Sequence, residues 1–88
     1  MWEKLVNLNK EGTMEPYANL GGDSGVAAFE SGTDFIRVQF TTGAVYVYSY
    51  ESCGQQHCET MKSLATNGHG LNSYIKRNVN NGYERKEH

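Results

Sequence analysis

The chain has one proline, two cysteines and no apolar run near the roughly 18 residues that a membrane-spanning helix requires. A proline-rich spacer, a disulfide scaffold and a helical membrane span are therefore poor readings. The opening stretch, MWEKLVNLNKEG, carries neither the apolar h-region nor the small-residue cleavage site of a signal peptide. A cytoplasmic location is expected, with no membrane partner and with Cys53 and Cys58 as free thiols. No phosphate-binding Walker loop, dinucleotide fingerprint or catalytic carboxylate pair is present, and no repeat of solenoid length.

What remains is a chain of 88 residues, 38% hydrophobic and 20% charged, enough for one domain with a modest core. The net charge of −2 conceals an asymmetry. Residues 1–59 hold three basic residues against eight acidic, whereas residues 60–88 hold five basic against two acidic. A polyanionic partner would have to engage the C-terminal third; an ordinary solvated helix face is the plainer alternative.

Residues 1–22 read as an N-terminal arm docked loosely on the domain. Trp2, Leu5 and Val6 fit one face of a short helix, and Gly12, Pro16 and Gly21-Gly22 interrupt the segment. From Val26 the pattern sharpens. VAAFE, FIRVQF and VYVYSY read as three strands joined by tight turns, an antiparallel meander. Ser52 resembles an N-cap, with Gln55 completing a capping box. The helix it opens puts Cys58, Met61, Leu64 and Ala65 on one side and stops at Asn67-Gly68. A second helix comes next, with Leu71, Tyr74, Ile75 and Val79 in one stripe. Residues 80–88 read as a polar, frayed tail. The fold class is α+β: a three-stranded antiparallel β-meander, then two helices packed on one face, β-β-β-α-α.

The loop between the second and third strands decides where Tyr46, Tyr48 and Tyr50 point. A two-residue turn at Thr42-Gly43 would leave them on the solvent face beside Phe35 and Arg37, a stacking platform for bases. A three-residue loop, Thr41-Thr42-Gly43, opposes Phe40 with Ala44, Val38 with Tyr46 and Ile36 with Tyr48. The tyrosines then lie under the helices. The first option needs positive φ at β-branched Thr42, the second only at Gly43, so the second is favoured. The expected core is Ile36, Val38, Phe40, Tyr46, Tyr48, Met61, Leu64, Leu71 and Ile75, with the phenol hydroxyls reaching the sheet rim or a backbone partner. The outer face then presents Phe35, Arg37, Val45 and Val47, partly exposed and open to a protein partner or a second copy.

Cys53, His57, Cys58 and His69 do not have the pair spacing of structural zinc ligands, so no metal site is assigned. Cys53 beside His57 lacks a third group to orient the imidazole, so no catalytic residue is assigned either. The loop Gly68-His69-Gly70-Leu71-Asn72 is the strongest candidate. It opens a helix whose free N–H groups suit a phosphate, with Lys76 and Arg77 one turn on. Alternatively Asn72 simply caps that helix or pins the loop to the sheet.

Residues 24–79 resemble the KTSC domain, a small module found at the C-terminus of some lysyl-tRNA synthetases and alone in short bacterial proteins. The resemblance runs through Ser24-Gly25-Val26, Ile36-x-Val38-x-Phe40-x-x-Gly43, Tyr46-x-Tyr48, Leu64-Ala65 and Gly70-Leu71-Asn72-x-x-Ile75. It departs at Glu51-Ser52-Cys53, where the family often has Val-Pro, and at Phe29, where tyrosine is commoner. It implies a domain over residues 23–79, a bacterial or phage source, no enzymatic activity and no cofactor. The synthetase context implies RNA binding by association. The function expected is a small non-enzymatic binding module for RNA, with His69, Asn72, Lys76 and Arg77 on phosphate and Arg37 with Phe35 on base or sugar. The alternative is a protein-interaction or self-association module working through the outer sheet face.

Overall fold

In the computed structural model, the residues described are 14–20 and 25–87. The helix expected around Trp2, Leu5 and Val6, and Ser24 of the KTSC-like opening, lie outside them. The fold is α+β: an antiparallel sheet followed by helices packed against one face. The expected three strands are β2 (Val26–Ser31), β3 (Phe35–Phe40) and β4 (Val45–Ser49). Two short strands extend the sheet at either edge, β1 (Glu15–Pro16) and β5 (Arg85–Lys86), in the order β1-β2-β3-β4-β5.

The β3–β4 hairpin has the three-residue loop. Phe40 N–H donates to Ala44 O at 2.8 Å, and Gly43, at φ 97°, donates to Phe40 O at 2.9 Å. Ile36 consequently faces Tyr48 and Val38 faces Tyr46. Pairing across all strands then sorts the side chains. Phe29, Val38 and Tyr46 form one row on the inner face, beside Ile36 and Tyr48. Glu30, Arg37, Val47 and Arg85 form a row on the outer face.

Helix α1 (Tyr50–Cys53) begins earlier than its sequence suggests. The N-cap is Ser49 rather than Ser52: Ser49 Oγ accepts from Ser52 N–H at 3.1 Å, and Ser52 Oγ accepts from Ser49 N–H at 2.9 Å. Strand β4 therefore stops at Ser49, and Tyr50 belongs to the helical turn, its hydroxyl donating to Glu59. The reason is that Ser49 is buried, and a buried hydroxyl is held where it can satisfy a backbone donor. Gly54 breaks the helix, and α2 (Gln55–Asn67) continues it, burying Cys58, Met61 and Ala65 against the sheet.

Gly68 ends α2 in the left-handed conformation and donates to Leu64 O and Ala65 O. It is doubly constrained, because a Cβ there would lie 2.6 Å from Ala18 Cβ. The final helix is irregular. One α-turn, α3 (Leu71–Tyr74), widens into a π-turn over Ile75–Val79, closed by Asn80 N–H donating to Ile75 O at 2.6 Å. Leu71, Ile75 and Val79 are buried. Of the expected core, Ile36, Val38, Tyr48 and Met61 are also fully enclosed, and Phe40, Tyr46 and Leu64 pack around them half-buried.

Residues 14–20 are tied closely to the domain. Tyr17 is buried, its N–H donates to Ala27 O, and its hydroxyl accepts from Leu71 N–H at 3.2 Å. The tail pairs onto the sheet edge. Glu84 and Glu87 N–H groups donate to Val47 O and Val45 O at 2.6 and 2.7 Å. Glu87 and Arg85 carry charges that complement Arg37 and Glu84 beneath and beside them.

Three substitutions check this account. A Cβ at Gly43 would meet nothing within 4 Å, so Gly43→Ala isolates the backbone cost of a left-handed residue. It should destabilise the fold by about 1 kcal/mol in urea unfolding, with an unchanged m-value. Ser49→Ala should cost about 1 kcal/mol through the lost cap, whereas Gln55→Ala should be close to neutral.

Candidate functional site

The described residues form two hollows of opposite character. The outer sheet face carries one of about 610 Å³. Its walls hold the carboxylates of Glu30, Asp34, Glu51, Glu84 and Glu87 against the guanidinium groups of Arg37 and Arg85. Arg37 is fully engaged there. It bridges Glu30 and Glu87, with Nη2 2.8 Å from Glu87 Oε1. Its guanidinium is held more firmly protonated by the hydrogen bond to Glu30 and then by Glu87.

This corrects two expectations for the outer face. Val45 and Val47 are only 4% and 3% exposed, because β5 pairs onto β4 and the row of ion pairs crosses the face. Arg37 has carboxylates around it and Phe35 beside it, which repel a polyanion. The Arg37 donors that a base or sugar would need are engaged by Glu30 and Glu87.

The second hollow, a cleft of about 380 Å³, opens at the other end of the inner face. One wall is the β3–β4 loop, with Phe40, Thr41 and Thr42. The opposite wall is the last helix and the turn after it, with Asn72, Lys76, Asn80 and Asn81. The floor is aromatic. Tyr46 meets Tyr83 edge-on at 4.6 Å and Phe40 edge-on at 5.6 Å, and lies nearly parallel to Tyr48 at 6.5 Å. Lys86 Nζ sits 5.8 Å from the centre of the Tyr46 ring. No carboxylate lines this cleft among the described residues.

Its elements arise from the local sequence. The Gly43 loop carries Thr41 and Thr42 outward, and the π-turn after Tyr74 shifts Lys76 and Asn80 relative to a regular helix. Gly82 then returns the chain so that Tyr83 can close on Tyr46 and Tyr48. Tyr83 and Lys86 were not visible as site residues in the sequence. They sit in a polar tail with no periodic pattern, and only the pairing of β5 with β4 brings them in.

The predicted phosphate loop is divided by the structure. Asn72 and Lys76 line the cleft, while His69 and Arg77 are exposed outside its lining. Asn72 does not cap the helix, since Gly70 stands at the N-cap with no side-chain hydrogen bond. The Leu71 N–H that was to cradle an anion is taken by Tyr17. That backbone donor is therefore closed to an anion.

The polar groups of the cleft are largely without partners. Among the described residues, none hydrogen-bonds the side-chain amides of Asn72, Asn80 or Asn81, or the hydroxyl of Tyr48. Tyr48 is only 2% exposed, and burial pushes its phenol up to about 12, so it is a neutral hydrogen-bond donor. Of the two outcomes expected from sequence, the sheet rim or a backbone partner, its hydroxyl takes no backbone partner among the described residues, and the ring lines the open cleft.

The thiols show different chemistry. Cys58 is fully buried, and desolvation pushes it up to about 11; burial also raises Cys53. Both shifts oppose thiolate formation. His57 Nδ1 lies 2.6 Å from Tyr74 Oη, tying α2 to α3. Among the described residues, no three or more His, Cys, Asp or Glu side chains converge as a metal site would require, and no helix is long and apolar enough to cross a membrane. No family model matches the chain, and neither a curated protein nor a solved structure matches it significantly.

Because Tyr83 belongs to the tail, the ion pairs on the outer face help to build the cleft. Arg37 holds the Glu87 carboxyl below its ordinary value of 4.5, with Arg85 adding to the effect. A depressed folded value means the contribution is full above the ordinary carboxylate range and is lost as pH falls through the folded value. Hydrogen exchange at the Glu84 and Glu87 amides should thus stay slow until pH drops below 4.5. In Glu87→Gln the same amides should exchange faster already at neutral pH. Equal protection in the two proteins would show that the ion pair does not hold the tail.

Proposed function

We propose that this chain is a small, non-enzymatic binding module, acting in the cytoplasm, whose cleft takes single-stranded RNA. The observation that carries this reading is the cleft itself. It places tyrosine rings, unpaired amides and Lys76 together and has no carboxylate in its lining among the described residues. Aromatic rings beside a cation suit unstacked bases and their phosphates. Lys76 meets phosphate at the mouth, Lys86 reinforces the positive field over Tyr46, and exposed Arg77 serves a flanking phosphate. The resemblance in residue pattern to the KTSC domain, with its synthetase context, points the same way by association.

The alternative of self-association through the outer face draws less support. Its two valines are buried, and its rim carries five carboxylates. Two copies of such a face would repel each other.

The test is a titration of single-stranded oligonucleotides or bulk tRNA, followed by amide NMR at low salt. Shifts should gather at residues 40–46 and 72–83 and leave 35–37 unmoved. Lys76→Glu should weaken binding for every sequence alike and reduce the slope of log K against log salt by about one. Absence of shifts at high micromolar RNA, or shifts confined to the outer face, would overturn the reading.

A further inference from the structure

We infer that the cleft seats one unstacked nucleobase, and that the Tyr48 hydroxyl, which has no partner among the described residues, donates a hydrogen bond to it. The inference rests on the RNA reading and adds to it a defined pocket and a residue that recognises the base. A phenol hydroxyl enclosed to this degree is normally paired, because leaving it unpaired costs free energy. Here no described residue pairs with it, although the ring lines an open cleft. An enclosed hydroxyl with no partner among the described residues is a place where a ligand can supply one.

The surroundings define what that ligand is. A planar ring is indicated by the Tyr46 and Tyr83 rings, which meet edge-on at 4.6 Å and flank the cleft. A hydrogen-bonding edge is indicated by the amides of Asn72, Asn80 and Asn81, each able to donate and accept, and each without a partner among the described residues. A neutral phenol adds a donor aimed at a base carbonyl or ring nitrogen. Lys76 on the same wall marks the side on which the phosphate leaves the pocket. A peptide can pair with the cation and pack on the rings, but few of its side chains are planar rings that carry donors and acceptors along one edge to match the amides.

Tyr48→Phe removes one oxygen and keeps the ring. It should not lower the melting temperature of the free protein, because no hydrogen bond to a described residue is lost. It should also weaken binding of a single-stranded oligonucleotide about fivefold to tenfold, as one missing hydrogen bond does. Binding of an abasic oligonucleotide of the same length should be equal in both proteins. A lower melting temperature in Tyr48→Phe would mean the hydroxyl is already paired, and unchanged oligonucleotide affinity would mean it does not touch the base; either result overturns the inference while leaving the RNA reading in place. If the wild-type protein binds no oligonucleotide, both fall together, and a peptide ligand becomes the reading to pursue.

Discussion

Gly43, at φ 97°, fixes the register of β3 against β4, and the chemistry of both faces of the sheet depends on that register. With one residue fewer in the loop, Tyr46 and Tyr48 would turn to solvent and Val45 and Val47 would turn under the helices. The bulged loop instead sends the tyrosines inward, where α2 and the last helix enclose Tyr48 and leave Tyr46 at the rim. It also aligns Glu30, Arg37, Val47 and Arg85 across four strands, which makes the outer face an ion-pair lattice. A single positive dihedral thus separates an aromatic cleft from an acidic hollow on the opposite face.

The two faces are linked through the tail. Arg37 holds Glu87 on the outer side, and three residues earlier Glu84 N–H is bonded to Val47 O. Tyr83, next in the chain, turns to the inner side and packs against Tyr46 and Tyr48. The segment is short, its strand residues are exposed, and few contacts hold it, so it belongs to the least stable part of the domain. Yet it supplies a wall of the cleft. Charges that are individually weak at a surface gain importance here because they position a ring elsewhere.

Much of this arrangement was legible in the chain before its structure. The hairpin register came from the steric penalty at Thr42 against the freedom of Gly43, a local rule with little competition. The α2 stripe and its stop at Gly68 came from the helical period and the left-handed cap. The start of the helix did not, because VYVYSY alternates through Tyr50 and both Ser49 and Ser52 are competent caps. Burial of Ser49, a tertiary fact, chose between them. Strand β5 was invisible for a related reason: ERKE has no alternation to read, and its pairing rests on Arg37 and on the free edge of β4, both distant in sequence. The π-turn after Tyr74 leaves no mark in a stripe that a regular helix would also satisfy.

The phosphate loop shows how a correct motif can be spent on something else. The glycines do open a helix, and the N–H of Leu71 does point outward from its start. Tyr17, from a segment whose sequence suggested only loose docking, reaches that N–H first with its hydroxyl. Tyr48 presents the opposite case, a hydroxyl that the fold encloses without a described partner. The two phenols lie in one core, and the fold gave a partner to one. A chain selected for stability alone would place phenylalanine at position 48, with the same ring and no polar atom to satisfy. That contrast makes the inner cleft, rather than the glycine loop or the outer face, the place where this sequence departs from what folding requires.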